Sequence, residues 1–158
     1  SSHAKMSKEK FEVMDNEDKI LPHVFEISMG IDRSLYTILE HSLKEDNEHE
    51  RVVLSLKPYL SPIHVGILSL VKKDGLKEKT DEVFLNVKRK FDAFLDHSGA
   101  IGRRYRRLDE IGAPFAITVD HQTLEDNTVT VRKRDSMEQT RISISEIDSM
   151  ISKAIKFP

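Results

Sequence analysis

The chain has 158 residues, a length that suits one compact domain with an appendage, and 38% of them are hydrophobic, enough for a buried core. Lys and Arg number 25 against 27 Asp and Glu, a formal net charge of −2, so any surface for a polyanion has to be local. Cysteine is absent, which excludes disulfides, thiolate catalysis and zinc–thiolate sites. No apolar run approaches a membrane-spanning length, and the N-terminus lacks a signal peptide's basic-then-apolar order.

Residues 1–5 (S-S-H-A-K) read as a vector-derived scar. From 6 to 28 the pattern is extended: Phe11 and Val13 alternate with charges, D-N-E-D (15–18) reads as a turn, and 20–27 resumes with β-favouring residues. A hairpin is expected there. Asp32 is placed to cap a helix over about 33–43, with Leu35, Ile38, Leu39 and Ser42 on one side. The stretch 44–50 (K-E-D-N-E-H-E) contains no apolar residue and reads as a linker or exposed loop. Residues 6–50 therefore separate from 51–158.

In the second region, 51–56 is short and β-like, and Pro58 and Pro62 punctuate the entry to I-H-V-G-I-L-S-L-V (63–71), which reads as a strand buried on both faces. A loop over 72–79 leads to a helix capped by Thr80 or Asp81 and carrying Val83, Phe84, Val87 and Phe91. A short strand follows at 93–97. Residues 115–119 form a second buried strand. Val129 and Val131, then Ile142 and Ile144, alternate with polar residues as strands do, and a final helix covers 145–156 with Ile147, Met150, Ile151, Ala154 and Ile155 inward. The order β-α-β-α-β-β-β-α gives an α/β fold with a mixed five-stranded sheet flanked by three helices.

The richest segment is S-G-A-I-G-R-R-Y-R-R-L-D-E-I-G (98–112). Ile101, Tyr105, Leu108 and Ile111 recur at helical spacing and supply a docking stripe. Arg103, Arg106 and Arg107 then point outward, with Arg104 at the border. Guanidinium groups bind phosphates and stack on bases better than ammonium groups do. The competing account is a solvated face whose arginines pair with Asp109 and Glu110. Arg132, Lys133 and Arg134 form a further basic stretch, and Arg141 shares the phase of Ser143.

Other signals are weaker. His23, His41, His49, His64, His97 and His121 include no pair at metal spacing with a third ligand, so no metal site is expected. His64 reads as a satisfied core histidine. Asp96-His97 and Asp120-His121 have no accompanying nucleophile and read as strand-end polar residues. Gly99 and Gly102 lack the G-x-G-x-x-G spacing of a nucleotide fingerprint.

Several of these segments resemble one family in order and spacing. I-G-R-R-Y-R-R-L-D-E-I-G-A-P-F-A-I-T-V-D (101–120) and T-V-T-V-R-K-R-D-S-M-E-Q-T-R-I (128–142) are similar to the anticodon-binding domain of the homodimeric class II glycyl-tRNA synthetases. L-K-P-Y-L-S-P-I-H-V-G-I-L-S-L (56–70) resembles the first strand of that domain and its entry loop. P-H-V-F-E-I-S-M-G-I-D-R (22–33) is similar to motif 3 of the catalytic domain.

The resemblance implies that Arg33 is the motif 3 arginine, a catalytic residue that contacts ATP, and that Glu26 and Ser28 line a glycine pocket. Ile27 stands where that family usually has proline. It further implies that 6–50 is the end of a catalytic domain, a hairpin and helix remnant, and that 51–158 grips the anticodon arm of a glycine tRNA. Which arginines touch RNA is not given by the resemblance; the basic segments themselves supply the candidates Arg103, Arg104, Arg106, Arg107, Arg132, Arg134 and Arg141, with Arg103 and Arg107 foremost. ATP with magnesium, glycine and a homodimeric state belong to the intact cytoplasmic enzyme. Motifs 1 and 2 of class II synthetases have no counterpart here, so the chain alone is expected to be monomeric, without cofactor and catalytically silent. The alternative is a non-catalytic, nucleic-acid-binding or accessory subunit on the same fold.

Overall fold

The structure, a computed structural model, describes residues 2–9, 12–22, 25–71, 73 and 75–157. Phe11 and His23, invoked above, lie outside the described residues. The chain divides into two compact units, Ser1–Arg33 and Ser34–Pro158.

The first unit contains a short helix α1 (Ser2–Ser7) and the antiparallel strands β1 (Val13–Asp15) and β2 (Asp18–Ile20), paired from Val13↔Ile20 to Asp15↔Asp18. Asn16 takes the left-handed conformation that the tight turn needs (φ 57°). The expected hairpin is present but stops at Ile20. Residues 21–22 and 25–30 have no regular secondary structure, and Pro22, with no N–H, cannot extend a ladder. Every residue of this unit whose exposure is described is exposed. Helix α2 (Ile31–Ser42) begins in this unit and runs into the next, two residues earlier than expected, with Asp32 in its first turn.

After α2 the second unit continues with a hairpin where the sequence suggests a linker. Strand β3 (Leu43–Asp46) pairs antiparallel with β4 (Arg51–Leu54), in register from Leu43↔Leu54 to Asp46↔Arg51. The stretch 44–50 is therefore a strand and a turn, and the expected boundary at 50/51 falls inside this hairpin. Its polarity reflects exposure, since Val53 is the one buried residue of the two strands. Asp46 closes the turn by accepting from the His49 N–H (3.2 Å) and the Arg51 Nε (2.7 Å).

A 3₁₀ turn (Pro58–Leu60) leads into β5 (Val65–Ser69), α3 (Leu76–Lys88), β6 (Ala93–Asp96), α4 (Ile101–Glu110), β7 (Phe115–Val119), α5 (His121–Asp126), β8 (Thr128–Lys133) and β9 (Gln139–Ser143). A second 3₁₀ turn (Ile144–Glu146) and α6 (Ile147–Ile155) complete the unit. The sheet order is β6-β5-β7-β8-β9, with β6, β5 and β7 parallel and β7, β8 and β9 antiparallel. The mixed five-stranded sheet matches expectation. The flanking helices are four, not three, because α5 follows β7 directly. Helix α3 also starts at Leu76 inside the expected loop: Gly75 adopts φ 77° at its N-cap and Leu76 is fully buried.

All five residues of β5 are buried, and they divide between two layers. Val65 and Ile67 join Leu76, Val83 and Val87 of α3 and Ile147 and Ile151 of α6 in the larger core. Leu68 joins Leu108 of α4, Ala113 and Ala116 on the other face. Since β5 leads through α3 to one neighbour and the chain returns through α4 to the other, the order of connection reverses between the parallel strands β5 and β7. Crevices at the carboxyl ends of such strands are the usual ligand sites of open α/β sheets.

Gly66 sets how closely α4 approaches. A Cβ built there would lie 2.2 Å from Leu108 Cδ1 and 2.3 Å from its Cδ2, and Leu108 is 1% exposed with no room to turn aside. Gly66→Ala is expected to destabilise the unit by about 1–3 kcal/mol through overpacking, measured by urea unfolding. Adding Leu108→Val should recover part of that loss, and simple additivity of the two changes would contradict the contact.

Candidate nucleic-acid interface

Helix α4 docks by the predicted stripe: Ile101, Tyr105, Leu108 and Ile111 all join the core beneath it. The Tyr105 hydroxyl is 2.7 Å from Thr118 Oγ1 on β7, which fixes the ring. Gly112, at φ 80°, ends the helix where a side chain would meet the Leu54 carbonyl 3.0 Å away. The arginines then fall into three groups that periodicity alone does not separate.

Arg103 and Arg106 are exposed, and their guanidinium groups make no hydrogen bond or ion pair with any described residue. They are the open cations of the helix.

Arg107 and Arg141 are half-buried and tied to carboxylates at strand ends. Arg107 donates from Nε (2.9 Å) and Nη2 (2.5 Å) to Asp96 Oδ2, and from Nη2 to the Ser98 carbonyl (2.6 Å). Burial raises the Asp96 carboxyl, but the Ser98 N–H and Arg107 outweigh it and hold it below the usual range. Arg141 makes a fork of two 2.8 Å bonds to Asp120 and a 2.6 Å bond to Thr128 Oγ1. That guanidinium is the main reason the Asp120 carboxyl sits at about 2. Asp120 also caps α5 by accepting from the Thr123 N–H at 3.1 Å. Asp96 and Asp120 thus act as strand-end polar residues.

Arg104, Arg132 and Arg134 are inside the protein, at 4%, 6% and 2% exposure, and here the expected surface display is corrected. Arg132 meets Asp109 through bonds of 2.9 and 3.0 Å and stacks its guanidinium 5.0 Å from the Tyr105 ring centre. Arg134 holds the carbonyls of Gly112 (2.8 Å) and Leu56 (2.7 Å) and both oxygens of Asp135. With every edge of its fork used, it ties loops together and cannot reach a ligand. Arg104 donates Nη1 to the Ser69 carbonyl (2.5 Å).

Asp109 does pair with arginines, but not with those of its own helix. Its partners are Arg132 and Arg51, whose Nη1 bonds Asp109 Oδ2 at 3.0 Å and the Arg134 carbonyl at 2.8 Å. Arg51 is the participant that sequence reasoning missed. It lies 58 positions before Asp109, and nothing local marks it.

His64 is partly buried and outside β5, so it is not the core histidine expected. His64 precedes β5 and accepts the Asp92 N–H at Nδ1 (3.2 Å). His97 bridges Ser69 Oγ (3.1 Å) and Asp81 Oδ1 (3.0 Å), but Ser69 is fully buried and offers no nucleophile. In the first unit Glu26, Ser28 and Arg33 are all exposed, the first two in irregular chain and Arg33 in the first turn of α2. Among the described residues no group of three or more His, Asp or Glu could hold a metal ion. No helix of the described residues is long and apolar enough to cross a membrane.

Residues 64–154 match the family model described as "Anticodon binding domain". The glycine–tRNA ligase of Archaeoglobus fulgidus is 44% identical over 161 residues, covering 96% of this chain and 28% of that protein. The glycine–tRNA ligase of Methanothrix thermoacetophila is 49% identical over 159 residues with the same coverage, 96% and 28%. The chain thus spans little more than a quarter of the length of these curated relatives. Among solved structures, a prolyl-tRNA synthetase of Cryptosporidium parvum superposes with a TM-score of 0.59 at 28% identity, covering 65% of this chain and 22% of that one. The RNA binding domain of a threonyl-tRNA synthetase from the same organism gives 0.60 at 23% identity over 66% of this chain and 26% of its own, a likeness of fold.

Removing the shared carboxylate tests the buried network. Asp109→Asn should cost about 3–5 kcal/mol of unfolding free energy by leaving Arg132 without a counter-charge and Arg51 with Asp46 alone. Replacing the exposed neighbour, Glu110→Gln, should change stability by less than about 0.5 kcal/mol. Equal urea midpoints for the two variants would contradict the assignment.

Proposed function

The chain belongs to the anticodon-binding domain family, and on that basis we propose that it is the part of a glycine–tRNA ligase that grips the anticodon arm of a glycine tRNA. One observation carries the reading: 44–49% identity to glycine–tRNA ligases runs through 96% of the chain, and so through both units. The exposed Arg103 and Arg106 give that domain two free cations on one short helix.

The physics of the grip is single-strand recognition. Unstacked loop bases are read on their edges while arginines meet phosphates or stack on base planes. Arg103 and Arg106 reach the phosphates directly. Arg107, favoured with Arg103 from the sequence, has its fork engaged by Asp96 and Ser98 and acts mainly to hold the turn before α4. Arg141, engaged by Asp120, adds positive potential at the same edge of the sheet. Arg132 and Arg134 contribute by fixing the platform.

In the whole ligase, glycine and ATP with magnesium would be the partners of the catalytic part, in a homodimeric cytoplasmic enzyme, with Glu26 and Ser28 toward glycine and Arg33 toward ATP. The chain by itself would then bind RNA as a monomer and perform no chemistry.

A fluorescence titration against a glycine-anticodon RNA hairpin checks the RNA contact. Arg103→Ala with Arg106→Ala should weaken binding by at least tenfold and lower the log–log salt slope by about 0.7–0.9 per lost phosphate contact. Affinity and slope unchanged in the double variant would remove α4 from the interface. In an ATP–pyrophosphate exchange assay with glycine the chain should give no turnover, and measurable exchange would overturn its catalytic silence.

A further inference from the structure

We propose that the inward guanidinium of Arg104 and the open amino end of α4 form a subsite for one phosphodiester group at the carboxyl edge of the parallel strands. The inference rests on the RNA-binding reading and specifies where a backbone phosphate is received.

The first observation is an uncompensated charge. Arg104 is 4% exposed and is tied to the protein by Nη1 alone, through the Ser69 carbonyl at the end of β5. Its Nε is buried with no hydrogen-bond partner. Among the described residues no carboxylate lies within ion-pair distance, whereas the other inward arginines, Arg51, Arg132 and Arg134, each have one. Burying a guanidinium without a counter-ion is costly, and an unsatisfied buried donor in a folded protein calls for a partner. The unused donors are Nε and Nη2, the side-on edge of the fork. That edge presents two parallel N–H groups, the geometry that takes two oxygens of one phosphate.

The second observation is the helix end. Helix α4 has ten residues, and its N-cap, Ala100, offers no capping side chain. The N–H groups of Arg103 and Arg104 reach the Ala100 carbonyl, while those of Ile101 and Gly102 find no acceptor. By contrast, α5 at the same edge is closed by the Asp120 capping box. A Cβ built on Gly102 meets nothing within 4 Å, so the backbone is open on that side. Helical side chains lean toward the amino end, which directs Arg104, one turn in, to the region that the dipole and the free N–H groups make favourable for an anion. Exposed Arg103 adds an outer cation. A phosphate engages Nη2 and the free amides first, and Nε after a small displacement of the side chains that shield it.

Two arms test the subsite. In the first, ¹⁵N-labelled chain is titrated with inorganic phosphate at constant ionic strength. Saturable shifts of the Ile101 and Gly102 amides and the Arg104 Nε are expected, and no response at these three groups would overturn the proposal. In the second, binding of a hairpin RNA with a glycine anticodon loop is measured for Ala100→Asp and Ala100→Ser. Asp at the cap satisfies the free amides but fills the site with negative charge. Its melting temperature should stay the same or rise while affinity falls at least tenfold. Ser caps without charge and should cost less than threefold. Wild-type affinity in Ala100→Asp would exclude this site while leaving the RNA-binding reading intact. Phosphate shifts at α4 in a chain that ignores the RNA would overturn that reading and keep the anion subsite.

Discussion

The position of α4 depends on one carboxylate. Asp109, 1% exposed, accepts two bonds from Arg132 on β8 and one from Arg51 on β4, so a single charge joins the helix to the central sheet and to the β3–β4 hairpin. Two buried cations around one anion are tolerable only because the remaining donors are also met. Arg51 reaches Asp46 and the Arg134 carbonyl, and Arg132 lies over the Tyr105 ring. Removing any member would leave a desolvated charge whose cost exceeds what the pair contributes when whole. The apolar stripe brings α4 to the sheet, and the Gly66 notch lets it approach. The ionic network fixes its rotation, and with it which arginines face outward.

Arginine appears in two opposite capacities on the same structural layer. Inward, the planar fork gathers carbonyls and carboxylates from elements distant in sequence, as Arg134 does with Leu56, Gly112 and Asp135. Outward, at Arg103 and Arg106, the same group is left to solvent. Arg107 and Arg141 stand between, each restrained by a carboxylate at the end of a parallel strand. A lysine could not replace the inward members, because a point charge on a flexible stem does not span three acceptors at fixed angles. A platform held this rigidly loses little freedom when a polyanion settles on it.

Much of this was legible in the sequence, for a physical reason. Strands buried on both faces leave continuous apolar runs, so β5 and β7 could be read directly, and the α4 stripe held residue for residue. Elements whose stability comes from partners rather than from their own apolar face were misread. Strand β3 is polar because it is exposed, and it is held by pairing and by Asp46. Helix α5 has six residues and buries only Thr123, so it presents no apolar period, while its Asp120–Thr123 cap is a signal spread over four positions. The fate of each arginine was the least legible feature, since its partner can lie 58 or 78 positions away, as for Arg51 with Asp109 and Arg134 with Leu56.

The shared carboxylate also shapes how this surface can change through descent. Arg51, Asp109 and Arg132 are coupled so tightly that no single replacement among them is neutral, and such residues are free to vary only together. Arg103 and Arg106, whose guanidinium groups pair with no described residue, carry no such constraint. Substitutions there can accumulate one at a time, retuning the outer charge pattern toward a different nucleic-acid shape while the scaffold beneath stays the same. The domain is therefore built as a frozen interior beneath an editable exterior, and the division runs through a single ten-residue helix.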